Sequence, residues 1–391
     1  MLGRVSQLEV VELEIDETLG RVLAVDVVST EVVPAFANSA MDGFAVRSVD
    51  TSPGAELAVI TTIAAGSTSD MVVGPGQAAR IMTGAALPDG ADSVVMVELT
   101  EVSGDRVRLI EGVEAGRSVR PAGDDIGIGD LVLEAGCVLT PAAIAAAATV
   151  GRRTLPVVRA ATVGVFSTGD ELVDAGVELA TGQIRDSNRH ALLALVRQTG
   201  AVAVDLGLVA DDPDAIATAL VGGAARCDAI VTSGGVSMGD FDYVKVVLDR
   251  LGEMRWMQIA IKPAKPLAFG TIPDRGRDVP VFGLPGNPVS SQVSFELFAR
   301  PALRLMMGHR FPDRQRLRAV AIDGFGRAVD GKMHFVRVRM SQGADGRFEV
   351  GSSGRQGSHH SLAMAAAEGL AVLGDGDGVA PGGLVDVIPL G

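Results

Sequence analysis

The run ATVGVFSTGDEL, residues 161–172, decides how the chain is read. Small and β-branched apolar residues end abruptly in Ser167-Thr168-Gly169-Asp170-Glu171, which predicts a buried strand over 161–167 and a polar loop directly behind it. The same arrangement recurs downstream. Strands are predicted over 202–208, 229–233 and 279–284, and they run into Asp211-Asp212, Ser233-Gly234-Gly235 and Pro285-Gly286-Asn287-Pro288. The intervening stretches predict amphipathic helices over 188–198, 213–226, 241–251 and 288–306, with Asp212 and Asn287 as caps and Pro213 and Pro288 in first turns. Strands alternating with helices over 156–308 make an α/β fold with a parallel, doubly wound sheet. Ligands of such a sheet bind at the carboxyl ends of its strands, so the polar loops converge on one crevice. Glycine loops that lead into helices present free N–H groups, which suits a phosphate-bearing ligand.

Working outward, residues 44–139 consist of short β-branched runs such as LAVITTI and DSVVMVEL, punctuated by glycine and proline. They read as a small β-domain. Thr140-Pro141 starts an alanine-rich helix that Gly151 ends. Near the start, 11–15 alternates like a strand, and Asp16 is placed to cap a short helix through about residue 24. Beyond 311 the chain is β-rich again, with FVRVRM and RFEV as strands. The resulting division is a bridging α+β domain over 1–43 plus 136–155, a β-rich domain over 44–135, the α/β domain over 156–310 and a C-terminal β-domain, barrel-like, over 311–391.

Composition narrows the function classes. The 391 residues are 47% hydrophobic and 21% charged, a globular balance rather than a disordered one. A net charge of −14 with one Trp and one Tyr argues against nucleic-acid binding. Cys137 and Cys227 show neither disulfide nor zinc spacing, which fits a reducing cytoplasm. The opening residues are acidic where a signal peptide needs an apolar core, and the most apolar run, 138–151, is shorter than the roughly 20 residues that span a bilayer.

Carboxylates and lysines supply the chemistry. Glu171, Asp211 and Asp242 all fall on the predicted rim, where they would repel a phosphate unless Mg²⁺ bridged them. Asp212 reads as a plain helix cap, and a first-turn helical role for Asp242 is the competing reading. In AIKPAKPLAFG, flanking prolines hold Lys262 and Lys265 on an extended segment.

The ordered set Ala37-Asn38-Ser39-Ala40-Met41-Asp42-Gly43, RIMTGA around Thr83, STGDEL, SGGVSMGDFDYVK, KPAKPLAFG, LPGNPVS and RQGS resembles the molybdopterin molybdenumtransferase family, which includes the gephyrin E domain. It spans nearly the whole chain. The resemblance implies an enzyme of molybdenum cofactor biosynthesis that inserts molybdenum from molybdate into adenylylated molybdopterin and releases AMP with Mg²⁺. It also implies a cytoplasmic homodimer, with the cleft between the α/β domain of one subunit and the β-domain of the other, and transient contacts with the adenylyltransferase and molybdoenzymes.

Carried over by residue, it makes Asp42, Thr83, Glu171, Asp211 and Asp242 catalytic, with Glu171, Asp211 and Asp242 as metal ligands. Asp186, Asn188, Ser233, Gly234, Gly235, Ser237, Pro285, Gly286, Asn287 and Pro288 would bind the pterin and phosphate portions. Lys262, Lys265, Arg337 and Ser358 would form the molybdate pocket, although Arg337 alternates with valines and also reads as a solvent-facing strand residue. Tungstate, nearly the same in size and charge, would fit that chemistry too. Two departures stand out. Ala264 replaces the family's usual glycine, so a left-handed backbone is disfavoured there, and Gln258 stands where some members carry lysine. The alternatives are the adenylyltransferase, which needs only the α/β unit, and a non-enzymatic gephyrin-like scaffold.

Overall fold

The computed structural model describes residues 1–67, 70–235 and 243–391. The chain divides into a smaller unit, Leu13–Leu19 with Val25–Leu155, and a larger one, Met1–Glu12, Gly20–Ala24 and Pro156–Gly391.

The smaller unit is built on a six-stranded sheet in the order Ser93–Met96, Gly43–Val46, Gln77–Ile81, Glu56–Ile63, Arg106–Leu109, Thr100–Ser103. Alternation along these strands sends Phe44, Val46, Leu57, Val95, Val107 and Leu109 into one apolar cluster and Ala45, Ile63, Ala79, Ile81 and Val94 into another. A Cβ on Gly43 would lie 2.0 Å from the Val95 carbonyl oxygen, so the strands can pair this closely only at glycine. The alanine-rich helix runs Pro141–Thr149, and Thr140 Oγ1 accepts from the Ala143 N–H at 3.2 Å. The helix anticipated after Asp16 does not form. Only a single turn, Ile15–Glu17, appears. Gly20 then turns the backbone to φ +75°, which no continuing helix accepts.

In the larger unit the central sheet comprises β1 (Thr162–Thr168), β2 (Val202–Val209), β3 (Ala229–Ser233), β4 (Glu253–Gln258), β5 (Pro266–Asp274) and β6 (Arg277–Leu284), in the order β2-β1-β3-β6-β5-β4. The first four in that order are parallel, as the βα pattern predicts; β5 and β4 extend the sheet antiparallel. Those two strands were not read from the sequence because their residues lie around the proline-rich lysine segment. Helices α1 (Asn188–Gln198), α2 (Pro213–Ala224) and α3 (Tyr243–Leu251) flank the sheet, followed by α4 (Pro288–Ser294) and α5 (Arg300–Met306). The last two form the single helix expected over 288–306, interrupted by a π-helical turn at Phe295–Ala299 just before Pro301, whose ring supplies no N–H. Val163, Val165, Val231 and Phe282 pack with α1 and α5 residues on one face, while Phe166, Ile230 and Val281 meet α2 and α3 on the other.

The C-terminal strands β7 (Leu317–Ala321), β8 (Met333–Gln342), β9 (Phe348–Ser352), β10 (Gly369–Leu373) and β11 (Leu384–Pro389) close into a barrel, β8-β9-β7-β11-β10-β8. Closure leaves no long free edge. The short strand Ile261–Lys262 pairs with Met333 and His334 at the start of β8, which brings the lysine segment to the barrel.

Candidate active site

The loops at the carboxyl ends of the parallel strands touch one another, as the topology requires. Thr168, at the end of β1, donates its hydroxyl proton to the Asp211 carboxylate beyond β2. Asp211 in turn donates its backbone N–H to Asp170 Oδ1 at 3.1 Å. Gly234 and Gly235 take φ of +95° and +65°. A Cβ on Gly234 would lie 2.7 Å from the Thr168 carbonyl oxygen, and one on Gly235 would lie 2.3 Å from Val244 Cγ2. Glycine is therefore required twice, once for the turn and once for the close approach of two loops.

Asn188, at the start of α1, joins the loops behind β3 and β6. Its Nδ2 donates to Ser233 Oγ at 2.8 Å and to the Gly286 carbonyl at 2.7 Å. Its Oδ1 is buried and accepts from no described group. An unmet buried acceptor carries a cost of roughly 1–3 kcal/mol, which a ligand N–H would remove. Pro285 is buried beneath this loop, and Pro288 opens α4, where Asn287 occupies the cap position without a side-chain capping bond.

Of the rim carboxylates, Glu171 is exposed and folds back over its own loop, with Oε2 2.7 Å from where a Gly169 Cβ would sit. Asp186 lies behind the rim, 2% exposed, accepting from Ser167 Oγ at 3.0 Å and from Arg189 N and Nε at 3.1 Å each. Arg189 also pairs with Asp205 and Asp174. Asp212 caps α2, its Oδ1 accepting from the Asp214 and Ala215 N–H groups. Ser237 and Asp242 lie outside the described residues. In the smaller unit, the exposed Asp42 accepts from both the N–H and the hydroxyl of Thr83 at 2.7 Å, and these bonds hold its carboxyl below the usual range.

A second feature of the larger unit is a 560 Å³ cavity whose polar lining includes Lys262, Arg327, Asp330, His334, Arg337 and Gln356. Arg337 is only 1% exposed, so the solvent-facing reading of FVRVRM is wrong: β8 turns this guanidinium inward together with Phe335. Its Nη2 donates to the carbonyls of Arg355 at 3.0 Å and Gly357 at 3.1 Å, while Nε is buried without a partner. Among the described residues no carboxylate pairs with Arg337, and burial pushes its pKa down. Lys262 shares the cavity, whereas Lys265 and Ser358 lie outside its lining. Ser358 instead accepts the Val289 N–H at 3.1 Å through its carbonyl, tying the RQGS loop to the first turn of α4.

Ala264 also departs from expectation, since it adopts φ +78° despite its side chain. The residue is 3% exposed in a cluster with Ile261, Val289, Val293 and Phe335, and burial of its methyl group, about 0.8 kcal/mol, offsets part of the roughly 1–2 kcal/mol cost of the left-handed backbone. Sequence reasoning missed Gln356, Arg327, Asp330 and His334. Only Gln356 carried a signal, from its place inside RQGS.

For a divalent cation, Asp170, Glu171 and Asp211 offer the oxygen donors a hard ion takes. Among the described residues no three acidic, histidine or cysteine side chains meet at one point. Carboxylate oxygens are the donor type that Mg²⁺ takes, and Asp242 lies outside the described set.

Family models match residues 1–151 (MoeA N-terminal region, domain I and II), 164–305 (probable molybdopterin binding domain) and 327–390 (MoeA C-terminal region, domain IV). The molybdopterin molybdenumtransferase of Haemophilus influenzae is 37% identical over 349 residues, covering 89% of this chain and 85% of that protein. Molybdopterin molybdenumtransferase 2 of Mycobacterium tuberculosis is 38% identical over 371 residues, covering 92% and 90%. The crystal structure of a molybdopterin biosynthesis MoeA protein from Pyrococcus horikoshii matches with a TM-score of 0.82 at 26% identity, over 99% of this chain and 97% of that one. Relatives this similar over 85–90% of their own length, with a solved structure that aligns over 99% of this chain, establish that the chain belongs to the molybdopterin molybdenumtransferase (MoeA) family.

Proposed function

We propose that this chain inserts molybdenum from molybdate into the dithiolene of adenylylated molybdopterin and releases AMP, as a Mg²⁺-dependent step of molybdenum cofactor biosynthesis. The observation that carries this reading is Arg337, a buried guanidinium on the lining of a cavity, with a buried unpartnered Nε–H and no carboxylate partner among the described residues. A buried charge is tolerated when it is paired. Molybdate is a dianion with four oxygen acceptors, and it meets Arg337 and Lys262 in one cavity.

The pterin and its phosphates belong at the rim. Asn188 Oδ1 would accept a ligand N–H, and the phosphates would lie along the backbone of Gly234, Gly235 and Gly286. Mg²⁺, held by Glu171, Asp211 and Asp242, would supply charge neutralisation at the phosphates. Asp42, kept ionised by Thr83, accepts a proton or orients water. Lys265, Asp186, Ser237, Asn287 and Ser358 keep the supporting roles the family resemblance gives them. We further propose a cytoplasmic homodimer and the four-domain division given above; among the described residues no helix is long and apolar enough to cross a membrane.

The test is AMP release from adenylylated molybdopterin in the presence of molybdate and Mg²⁺. Glu171→Gln and Asp242→Asn are expected to stay folded by circular dichroism and to lose at least about 100-fold in rate, since each removes a charge the transition state needs. Full activity in both would overturn the mechanism. Formation of adenylylated molybdopterin from ATP and free molybdopterin would favour the adenylyltransferase instead, a reading that accounts only for residues 164–305.

A further inference from the structure

Pairing of β8 with β9 stops one residue short of Arg337, while β10 continues on the other side with Leu370 opposite Arg337. Ser352, the last residue of β9, lies opposite Val338, and no further β9 residue is left to face Arg337. A side chain takes the place of the missing strand. Gln356 Oε1 accepts the Arg337 N–H at 2.9 Å, and Gln356 Nε2 lies 3.0 Å from the Arg337 carbonyl oxygen. The same Nε2 shares its protons with Ser352 Oγ at 3.1 Å and the Gly354 carbonyl at 2.9 Å. One amide thus fastens the 352–357 loop to the backbone of Arg337, and the Ser353 N–H adds a bond to the Arg337 carbonyl at 3.0 Å.

The same loop supplies the groups that aim the guanidinium. The carbonyls of Arg355 and Gly357 hold Nη2, and among the described residues nothing else binds the head of this side chain. The loop is soft by composition, with Gly354 at φ +136° and Gly357 at its far end. Without a fastening, such a backbone samples many conformations. We infer that Gln356 is a positioning residue for the molybdate site: its amide fixes the loop carbonyls that hold Nη2 and so orient the Arg337 guanidinium at the cavity wall. The inference rests on the oxyanion reading of Arg337 given above.

The test is calorimetric titration of the full chain with sodium molybdate and, separately, with AMP and Mg²⁺, in wild-type protein and in Gln356→Met, Ser352→Ala and Arg337→Met. Methionine keeps the length of the side chain and removes every hydrogen bond. Gln356→Met is expected to bind molybdate about tenfold more weakly, the loss of one to two well-placed hydrogen bonds, and Ser352→Ala about twofold to threefold more weakly. Arg337→Met should lose molybdate at least about 100-fold, since the charge itself is gone. AMP affinity should stay within about twofold throughout, a selectivity that mere loosening of the fold would not show.

Wild-type molybdate affinity in Gln356→Met, with binding lost in Arg337→Met, overturns the positioning role and leaves the oxyanion reading standing. Equal losses for AMP and molybdate also overturn it. Wild-type protein that ignores molybdate, or Arg337→Met that binds it normally, overturns the oxyanion reading itself. Should Gln356→Met not fold, Ser352→Ala decides, and unchanged molybdate affinity there counts against the inference.

Discussion

Two buried arginines face the same cavity and live under opposite rules. Arg327 has a side chain 2% exposed, and its Nη2 pairs with Asp330 and Asp375 at 2.7 Å each. Its Nη1 donates to the carbonyls of Lys332, Leu373 and Gly374 at 2.6–3.3 Å. Arg337, 1% exposed, has two carbonyls on Nη2, an orphaned Nε and, among the described residues, no carboxylate. The first is a balanced staple that holds the loop after residue 326 to the end of β10. The second meets no carboxylate among the described residues. Burial alone does not separate the two; the pairing of the buried charge does, and on the proposed reading an oxyanion completes the second.

The sharpest way to break this comparison is to make the same substitution at both positions. Arg337→Met should reduce molybdate binding and AMP release by at least about 100-fold, yet leave stability unchanged or raised by about 1 kcal/mol, because an apolar chain replaces an unpaired buried charge. Arg327→Met should have the opposite sign in urea unfolding. Losing its ion pairs and stranding barrel carbonyls should cost about 3 kcal/mol. Equal destabilisation by both would erase the distinction.

Smaller effects sharpen it. Lys262 is exposed on the cavity, so Lys262→Ala should weaken molybdate about tenfold while changing stability by no more than about 0.5 kcal/mol. The smallest effect is on acid stability. The His334 hydrogen bond, followed by its charge and by Lys332, holds the Asp330 carboxyl below its ordinary value. Its stabilising contribution is therefore complete above that ordinary value and fades as pH falls through the lowered one. Thermal melts taken downward from pH 5 should show a drop below pH 4 in wild type that is shallower in Asp330→Asn.

Much of this was legible in the sequence for physical reasons. The α1 helix and β3 match their sequence readings because amphipathic periodicity and β-branched runs are local signals. The loops behind β1, β2, β3 and β6 could be placed on one rim because parallel topology sends strand ends to one side. The antiparallel β4 and β5 stayed hidden, since prolines at 263 and 266 read as breaks and the pairing is set by tertiary contacts. Arg337 was visible as a candidate, but its burial was not. Alternation along FVRVRM looks the same whether the arginine faces water or the interior, and only closure of the barrel decides. Ala264 failed in the other direction, for burial of its methyl group in a cluster distant in sequence offsets part of the cost that the local rule about φ counts.

The most direct test of the unpaired guanidinium is equilibrium unfolding at increasing molybdate concentration. If the oxyanion completes Arg337, wild-type stability should climb with the logarithm of molybdate concentration, by about 2.7 kcal/mol at a hundredfold excess over the dissociation constant, and Arg337→Met should show a flat line. A flat wild-type response, or the same climb in Arg337→Met, would contradict the account.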